Sequence, residues 1–390
     1  MRRLATATLF LGMITLPYAL PAQEVDAPVR YDEDYLSADF HRSRRAAVVA
    51  QLPGNSLVVL FGAPMRNRSN DMDYEYRQAS DFLYLTGSEE PGSALILAPG
   101  GLEVDGERVH EILFVPPRDP AREVWDGRRF GAERAMQRLG VELALDATRF
   151  DEILVPLLQN GQHRVYHLGF PDAVPEGSAL HDQLAAFMDN VDPAALPGAG
   201  TGSAAPLRGV LDGLRAIKSD EEMTALRRAI DITTEAHREV MQQVQAGWAE
   251  YEIEALVEYT FKRNGSEQPG FNSIVGSGEN STILHYMTNR RVTEPGDVVV
   301  IDIGAEVHGY SADVTRTIPV SGTYSPEQRA IYELVYRAQE AGIRATRAGN
   351  PFFASNSEAS RVLAEGLAEL GLISSAADTG GLRRFFMHGT

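Results

Sequence analysis

Two aspartates in the segment DVVVIDIGAEVHGYSADVTRTIPV, residues 297–320, have the spacing of a paired carboxylate site. Asp302 follows a run of β-branched residues that predicts a buried strand, and Asp313 lies on a second predicted strand. A hairpin turn centred between Val307 and His308 would place the two aspartates directly opposite each other on one face, where like charges repel. One or two divalent ions would offset this repulsion, and oxygen ligands suit manganese or another hard ion. The alternative is a surface hairpin with two solvated aspartates. Three hydroxyl side chains are predicted to extend the polar face, namely Ser311, Thr315 and Thr317.

Histidines supply the other candidate groups. His285 follows the Gly- and Ser-rich stretch GSGENS, and His388 follows an apolar run in FFMHGT that predicts a strand leading into a glycine turn. Each of these two histidines could line a site or serve the structure alone. His163 and His167 have the spacing of two helical metal ligands, but their surroundings predict a strand and lack the glutamate of an HExxH motif. His237 is predicted to be solvated on the flank of a helix. The chain has no GxSxG motif, P-loop or GxGxxG fingerprint.

The composition limits the class of protein. The chain has 390 residues, of which 44% are hydrophobic and 23% charged, and this suits a globular protein of two domains. A formal net charge of −18 argues against a nucleic-acid partner, because phosphate binding needs a basic patch. The absence of cysteine excludes disulfides, a thiol nucleophile and cysteine-ligated metal sites.

The N-terminal segment MRRLATATLFLGMITLPYALPAQ has the layout of a secretory signal peptide, with cleavage predicted after Ala22. Its apolar stretch is interrupted by Pro17 and Pro21 and is shorter than a membrane-spanning helix requires. We therefore expect a secreted or periplasmic protein without lasting membrane insertion. The alternatives are an uncleaved anchor or a lipid-linked form.

The elements that must position these residues fall into two halves. Four apolar runs in the first half predict buried strands, and helices are predicted near 42–51 and 130–140, which is an α/β pattern. The runs are NSLVVLFG, SALILAPGG, HEILFVPP and HRVYHLGF. A segment rich in Ala, Gly, Pro and Ser between Pro171 and Pro206 marks the predicted domain boundary.

The second half opens with a predicted helix whose capping box pairs Ser219 with Glu222. Its predicted apolar stripe consists of Met223, Leu226, Ile230, Ala236 and Val240. Further helices are predicted at 249–263 and after Ser325, with strand-like segments between them, including ILHYM. Because helices and strands segregate into runs, this half is predicted to be α+β.

Six segments resemble the Xaa-Pro aminopeptidases, also called aminopeptidase P. They are FNSIVGSGENSTILHY, VVVIDIGAEVHGYSADVTRTIPV, RRFFMHG, MDYEYRQASDFLYLTG, REVWDGRRFG and LRAIKSDEEMTALRRA. The resemblance implies an α+β, pita-bread catalytic domain preceded by a smaller α/β domain. It divides the chain into a signal peptide (1–22), an N-terminal extension (23–39), an aminopeptidase P N-terminal domain (40–205) and a metallopeptidase domain (206–390).

The resemblance also implies a function and a site. Members of this family remove the N-terminal residue from peptides with proline at the second position, using a hydroxide that bridges two divalent ions, commonly manganese. Asp302 resembles the aspartate that binds one ion, and Asp313 resembles the one that bridges both. His285 resembles a histidine that lines the substrate site and helps to stabilise the transition state. His388 resembles the first histidine of a His-Gly-x-x-His motif that borders the same site.

Two residues of the first half resemble positions that act between subunits. Asp71 and Trp125 match N-terminal-domain positions that, in the family, approach the active site of a neighbouring subunit. The resemblance therefore implies a homo-oligomer, either a dimer or a tetramer.

The chain departs from the family pattern at its C-terminus. In the family a metal-binding histidine follows His388 by four residues and two glutamate ligands come later, whereas this sequence ends at Thr390. We therefore expect a C-terminally truncated metallopeptidase domain, inactive as it stands, with an unpaired apolar strand edge. Two alternatives to an Xaa-Pro aminopeptidase are a prolidase that cleaves Xaa-Pro dipeptides and a non-catalytic peptide-binding relative or inactive fragment.

Overall fold

A computed structural model of the chain describes residues 34–159, 161–168 and 204–387, with side chains from residue 207 in the last range. The helices in these ranges are α1 (Ala38–Ala50), α2 (Ser80–Thr86), α3 (Pro120–Asp126), α4 (Gly131–Leu139), α5 (Phe150–Gln159), α6 (Ala204–Ala216), α7 (Asp220–Gln243), α8 (Glu250–Arg263), α9 (Pro326–Ala345), α10 (Ala354–Glu369) and α11 (Thr379–Phe385). The strands are β1 (Ser56–Phe61), β2 (Asn67–Ser69), β3 (Met72–Asp73), β4 (Ala94–Val104), β5 (Glu107–Val115), β6 (Leu143–Asp146), β7 (Arg164–Tyr166), β8 (Gln268–Pro269), β9 (Ile274–Ser277), β10 (Val298–Ile303), β11 (Ala305–Val307), β12 (Tyr310–Ser311) and β13 (Val314–Pro319).

A mixed five-stranded sheet, in the order β6-β5-β4-β1-β7, organises the first half. Its interior strand β1 is buried at every residue, as expected for a strand covered on both faces. On one face Phe61 contacts Phe150 of α5, with ring centroids 5.4 Å apart. On the other face Val58 belongs to the same core cluster as Phe40 and Val48 of α1. The four predicted strands and both predicted helices are confirmed, so the α/β pattern of this half is confirmed as well.

Helix α7 begins with the predicted capping box. The hydroxyl of Ser219 accepts from the backbone N–H of Glu222, and the Glu222 carboxylate accepts from the backbone N–H of Ser219 at 2.7 Å. Its predicted apolar stripe is only partly correct, because Ile230 is 40% exposed. The face toward the sheet instead includes small residues such as Ala229 and Ala236, which belong to the same core cluster as the strands.

The second half packs α7 and α8 against an antiparallel sheet in the order β13-β10-β9. Strand β10 alternates: Val299, Ile301 and Ile303 are buried against the helices, while the residues between them are half-buried on the opposite, open face. Asp302 is one of those open-face residues. A small sheet in the order β12-β11-β8 adjoins this one. The helices and strands of this half are segregated into runs, which confirms the α+β prediction.

The last described part of the chain is helical. Helix α9 starts at Pro326 behind its predicted cap Ser325, and it packs on α10. The strand predicted from FFMHGT is wrong, because Phe385 is the last residue of α11. This helix forms because the side chain of Asp378 accepts from the backbone N–H of Gly381, which caps its first turn. None of the helices in the described ranges combines the length and the apolar character needed to cross a bilayer.

Candidate metal centre and active site

The hairpin that carries the two aspartates has a register two residues away from the predicted one. Asp302 lies opposite Thr315, and Val307 lies opposite Tyr310. The prediction of directly opposed aspartates is therefore wrong. The turn consists of His308 and Gly309, whose φ angles of 50° and 83° are both positive, as a two-residue type I′ turn requires.

The shifted register still places both carboxylates on the open face. The same residue pairing continues through the segment between β12 and β13. The backbone N–H of Ala312 donates to the Ala305 carbonyl at 3.0 Å, and Val314 pairs with Ile303. Asp313 therefore faces Gly304. Because a shift of two residues is a full period of the strand, Asp302 and Asp313 remain on one side as diagonal neighbours, about 7–8 Å apart. This diagonal spacing leaves room for cations between the two carboxylates.

Gly304 allows the two strands to meet at this point. A Cβ atom there would lie 1.8 Å from the carbonyl oxygen of Ala312, so no other residue fits without separating the strands. The close approach places Asp313 beside Asp302 rather than on a separate loop.

Of the three hydroxyl residues predicted to extend the polar face, Thr315 and Thr317 lie on the open face and Ser311 binds another carboxylate. The Thr315 hydroxyl donates to Asp302 Oδ1 at 2.7 Å, and this bond orients a carboxylate that is otherwise half-buried. Thr317 lies opposite Val300 on the same face. Ser311 instead donates to the carboxylate of Glu306 at 3.0 Å.

His237 backs the strand that follows Asp313. The prediction that His237 is solvated is wrong, because it is only 4% exposed. Its Nε2 lies 2.9 Å from the carbonyl oxygen of Val314, so Nε2 carries the proton in this bond. Burial lowers the pKa of His237, and this outweighs the hydrogen bond to Val314, which raises it, so the neutral imidazole is favoured. The prediction failed because the burial of His237 depends on the sheet that packs over α7, which the local sequence does not show.

His285 lies on a loop and not on the strand predicted from ILHYM. After β9 the chain makes a 3₁₀ turn, and His285 follows in an exposed turn. The loop then returns along the free edge of β9, where Asn289 accepts from the backbone N–H of Val275 and donates to the carbonyl of Ser273 at 2.9 Å. Because Ile274 lies opposite Asp302, the returning segment is held at the end of β9 that adjoins the candidate metal site.

The remaining predicted site residues lie elsewhere. Asp71 is exposed in the turn between β2 and β3, and Trp125 on α3 is 86% exposed. Both belong to the surface of the N-terminal half. His388 lies outside the described residues.

The donor chemistry of the site suits divalent ions. Two carboxylates on one face supply the oxygen ligands that hard cations prefer. Within residues 34–159, 161–168 and 204–387, no group of three or more His, Asp or Glu side chains is arranged to hold a metal. Asp302 and Asp313 are thus the carboxylate pair that the described residues offer as candidate metal ligands.

Two buried carboxylates were missed by the sequence analysis. Glu250 and Glu306 are 0% and 3% exposed, and each is enclosed by hydrogen-bond donors from distant parts of the chain. For Glu306 a signal was present, since an acidic residue between Ala305 and Val307 interrupts an apolar strand. For Glu250 no local signal existed, because an acidic residue in the first turn of a helix is ordinary.

Comparison with known proteins identifies two family models. Residues 224–390 match the model of metallopeptidase family M24, and residues 41–166 match that of the aminopeptidase P N-terminal domain. The Xaa-Pro aminopeptidase of Escherichia coli strain K12 is 38% identical over 359 residues, which cover 90% of this chain and 78% of that protein. The Xaa-Pro aminopeptidase of Haemophilus influenzae is 38% identical over 352 residues, which cover 89% of this chain and 76% of that protein.

Solved structures of aminopeptidase P are similar to this chain as well. Escherichia coli aminopeptidase P with the inhibitor Pro-Leu superposes with a TM-score of 0.78 and 35% identity, covering 91% of this chain and 80% of that one. The zinc-substituted form of Escherichia coli aminopeptidase P in complex with product gives a TM-score of 0.76 and covers 78% of that chain. Pseudomonas aeruginosa aminopeptidase PepP gives a TM-score of 0.77 at 33% identity.

Proposed function

Because this chain belongs to the Xaa-Pro aminopeptidases, with a catalytic domain of metallopeptidase family M24, we propose that it removes the N-terminal residue from peptides whose second residue is proline. The chain is accordingly a metal-dependent hydrolase of the α+β, pita-bread class. The observation that carries the proposal is the strand pair within the M24 match that presents Asp302 and Asp313 on its open face.

The two aspartates would hold the divalent ions. The chemistry that such ions supply is Lewis-acid polarisation of the peptide carbonyl and activation of a water molecule. Manganese is our choice of metal, because the described ligands are carboxylate oxygens without thiolates. The Thr315 hydroxyl orients Asp302 toward this task through its 2.7 Å hydrogen bond.

The histidines act on the substrate in this proposal. An imidazole N–H from His285 donates to the oxygen that gains charge as the carbonyl is attacked, an interaction that is stronger in the transition state than in the ground state. His388 borders the same substrate site in the proposal, although it lies outside the described residues. What supports the role of His285 is the anchoring of its loop beside the strand end that carries Asp302.

Oligomerisation completes the proposed site. Trp125 is 86% exposed and its neighbour Val124 is 80% exposed, so both are accessible to a second subunit. We assign these residues, together with Asp71 on the β2–β3 turn, to contact with the substrate site of a neighbouring subunit in a dimer or tetramer.

Export is the proposed fate of the protein. The basic, apolar and small-residue layout of residues 1–22 supports cleavage after Ala22 and release as a secreted or periplasmic enzyme. These residues lie outside the described ones. The proposed domains, 40–205 and 206–390, follow the extension at 23–39 and contain the two family matches.

The test of the proposed function compares two peptides. The full-length protein, purified from its native source and supplied with Mn²⁺, is incubated with the tripeptide Ala-Pro-Ala or the dipeptide Ala-Pro, and free alanine is quantified. We expect release of alanine from the tripeptide. Cleavage of the dipeptide alone would identify a prolidase. Absence of turnover with retained peptide binding, measured by calorimetry, would identify a non-catalytic relative.

A further inference from the structure

The loop that carries His285, defined here as the 278–291 loop, converges on one buried carboxylate. Glu250 is the first residue of α8 and is 0% exposed. Its Oε1 accepts from the backbone N–H of Ser277 at 2.7 Å, from the Ser277 hydroxyl at 2.8 Å and from the Asn280 amide at 3.1 Å. These three bonds secure the start of the loop.

The second carboxylate oxygen secures the other end of the 278–291 loop. Glu250 Oε2 accepts from the Tyr286 hydroxyl at 2.9 Å and from the backbone N–H of Arg291 at 2.9 Å. Tyr286 is the direct neighbour of His285 in the chain, and its hydroxyl also accepts from Asn280 at 2.9 Å. A single carboxylate thus receives five hydrogen bonds from both ends of one loop.

Glu250 is not needed for the helix that it begins. The capping role at the start of α8 belongs to Glu252, whose carboxylate accepts from the backbone N–H of Ala249 at 2.7 Å. Burial raises the pKa of Glu250, but the hydrogen bonds from Ser277, Asn280 and Arg291 outweigh burial and hold the pKa below its usual value. A buried carboxylate remains charged only where donors of this kind replace its hydration.

Hydrophobic packing alone does not fix the part of the loop around His285. The residues before and after it, Ile283, Leu284, Met287 and Thr288, are all exposed. Few buried apolar contacts and exposed backbone are the features of a segment that opens easily. The hydrogen bonds to Glu250 are therefore a main restraint on the position of the His285 backbone.

We propose that Glu250 is a positioning residue that holds the 278–291 loop so that His285 meets the substrate carbonyl. The inference rests on the proposed function, in which His285 donates to the oxygen that gains charge. It assigns the orientation of a group in the active site to a residue that is buried beneath it and does not contact substrate.

The experiment uses Glu250→Gln, which keeps the size of the side chain but places an amide N–H₂ against groups that donate. The matched control is Glu252→Gln, which makes the same chemical change in the same helical turn without contact to the loop. With Mn²⁺ present, hydrogen–deuterium exchange is read for peptides covering 278–291. Both kcat and KM for Ala-Pro-Ala are then measured in the wild-type and His285→Ala backgrounds.

We expect faster exchange of the 278–291 loop in Glu250→Gln and a fall in kcat of about 10- to 100-fold. That is part of the 10²–10³-fold that the loss of one donor to a developing oxyanion costs. In the His285→Ala background the same substitution is expected to cause no further fall, because the group that it positions is absent. Glu252→Gln should change neither the exchange nor kcat.

Three results would overturn the proposal: unchanged exchange in the loop, faster exchange with unchanged kcat, or an equal loss of kcat in both backgrounds. If Glu250→Gln does not fold, Tyr286→Phe removes one of the five donors at the neighbour of His285 and is judged by the same criteria. All variants are made in the full-length protein, and if the full-length wild type does not cleave Ala-Pro-Ala, the proposed function has failed. The exchange data then decide separately whether Glu250 holds the loop.

Discussion

The contact between the two halves of the protein provides the sharpest test of how the site is supported. Arg77, in the N-terminal half, binds the carboxylate of Glu306 on β11 through two parallel bonds, Nε to Oε1 and Nη2 to Oε2, each 2.8 Å long. The Glu306 side chain is 4% exposed, and it also accepts from Gln268 at 2.9 Å and from Ser311 at 3.0 Å. Because Ser311 precedes Asp313 by two residues, the pair anchors the segment between β12 and β13 that contains Asp313.

We predict that Arg77→Ala lowers the free energy of unfolding by about 2 kcal/mol. Removing one partner from a fully buried ion pair costs about 3–5 kcal/mol, whereas exposed pairs contribute about 0.2–1 kcal/mol. The Arg77 side chain is 41% exposed, and Glu306 keeps its two other donors, so the expected value lies between these limits. Glu306→Gln should cost less, about 1 kcal/mol, because Arg77 can then return to solvent.

The assay is urea denaturation followed by tryptophan fluorescence and circular dichroism. The control is Arg122→Ala, which removes an exposed ion pair with Asp126 and is expected to change stability by less than about 0.5 kcal/mol. The double variant of Arg77 and Glu306 should be less destabilised than the sum of the single variants by about 1 kcal/mol. Stability of Arg77→Ala within about 0.5 kcal/mol of wild type, or strict additivity in the double variant, would refute the reasoning.

Three further predictions concern the hairpin itself. Asp313→Asn is expected to abolish tight Mn²⁺ binding in calorimetry and turnover of Ala-Pro-Ala, because one charged ligand is lost; unchanged binding would contradict its assignment. Gly304→Ala should destabilise the protein by about 3 kcal/mol in thermal unfolding, since its Cβ would lie 1.8 Å from a backbone oxygen, whereas Gly213→Ala, with nothing within 4 Å, should not. Burial raises the pKa of Glu306, but the bonds from Arg77 and its other donors lower it overall, below its ordinary 4.5. Its stabilising contribution is therefore full above about pH 4.5 and is lost as the pH falls toward the folded-state pKa. The difference in unfolding free energy between wild type and Glu306→Gln should shrink as the pH falls below about 4.5. A difference that grows on acidification would contradict the lowered pKa of Glu306.

Several features of the site followed from local sequence pattern. The period of two along β10 placed Asp302 on a different face from Val299 and Ile301, and the same period kept Asp313 on that face even though the predicted register was wrong. The caps at Ser219 and Ser325 depended only on residues within one helical turn, and both were confirmed. Such signals are readable because all the interacting groups lie within a few residues of one another.

The strand register could not be predicted from the sequence, because it depends on the backbone conformation of the turn. Positive φ angles at both His308 and Gly309 move the turn by one residue relative to the predicted centre, and a one-residue move of the centre changes every pair by two. A histidine at the first position of a type I′ turn is not a recognisable signal, because asparagine, aspartate and glycine are the usual residues there. The same holds for His237, whose burial depends on the sheet that packs over α7.

The sequence by itself determined that two carboxylates share one face of a strand pair. It also determined that the chain resembles a family of metallopeptidases. Tertiary structure alone decided what holds the candidate site in place. The Arg77–Glu306 contact near Asp313 joins residues 229 positions apart, and Glu250, which binds the 278–291 loop, accepts from donors that lie 27 to 41 residues away. The physical reason is that periodicity and caps are short-range properties of a chain. The partner of a buried charge, in contrast, is whichever donor the completed fold brings to it.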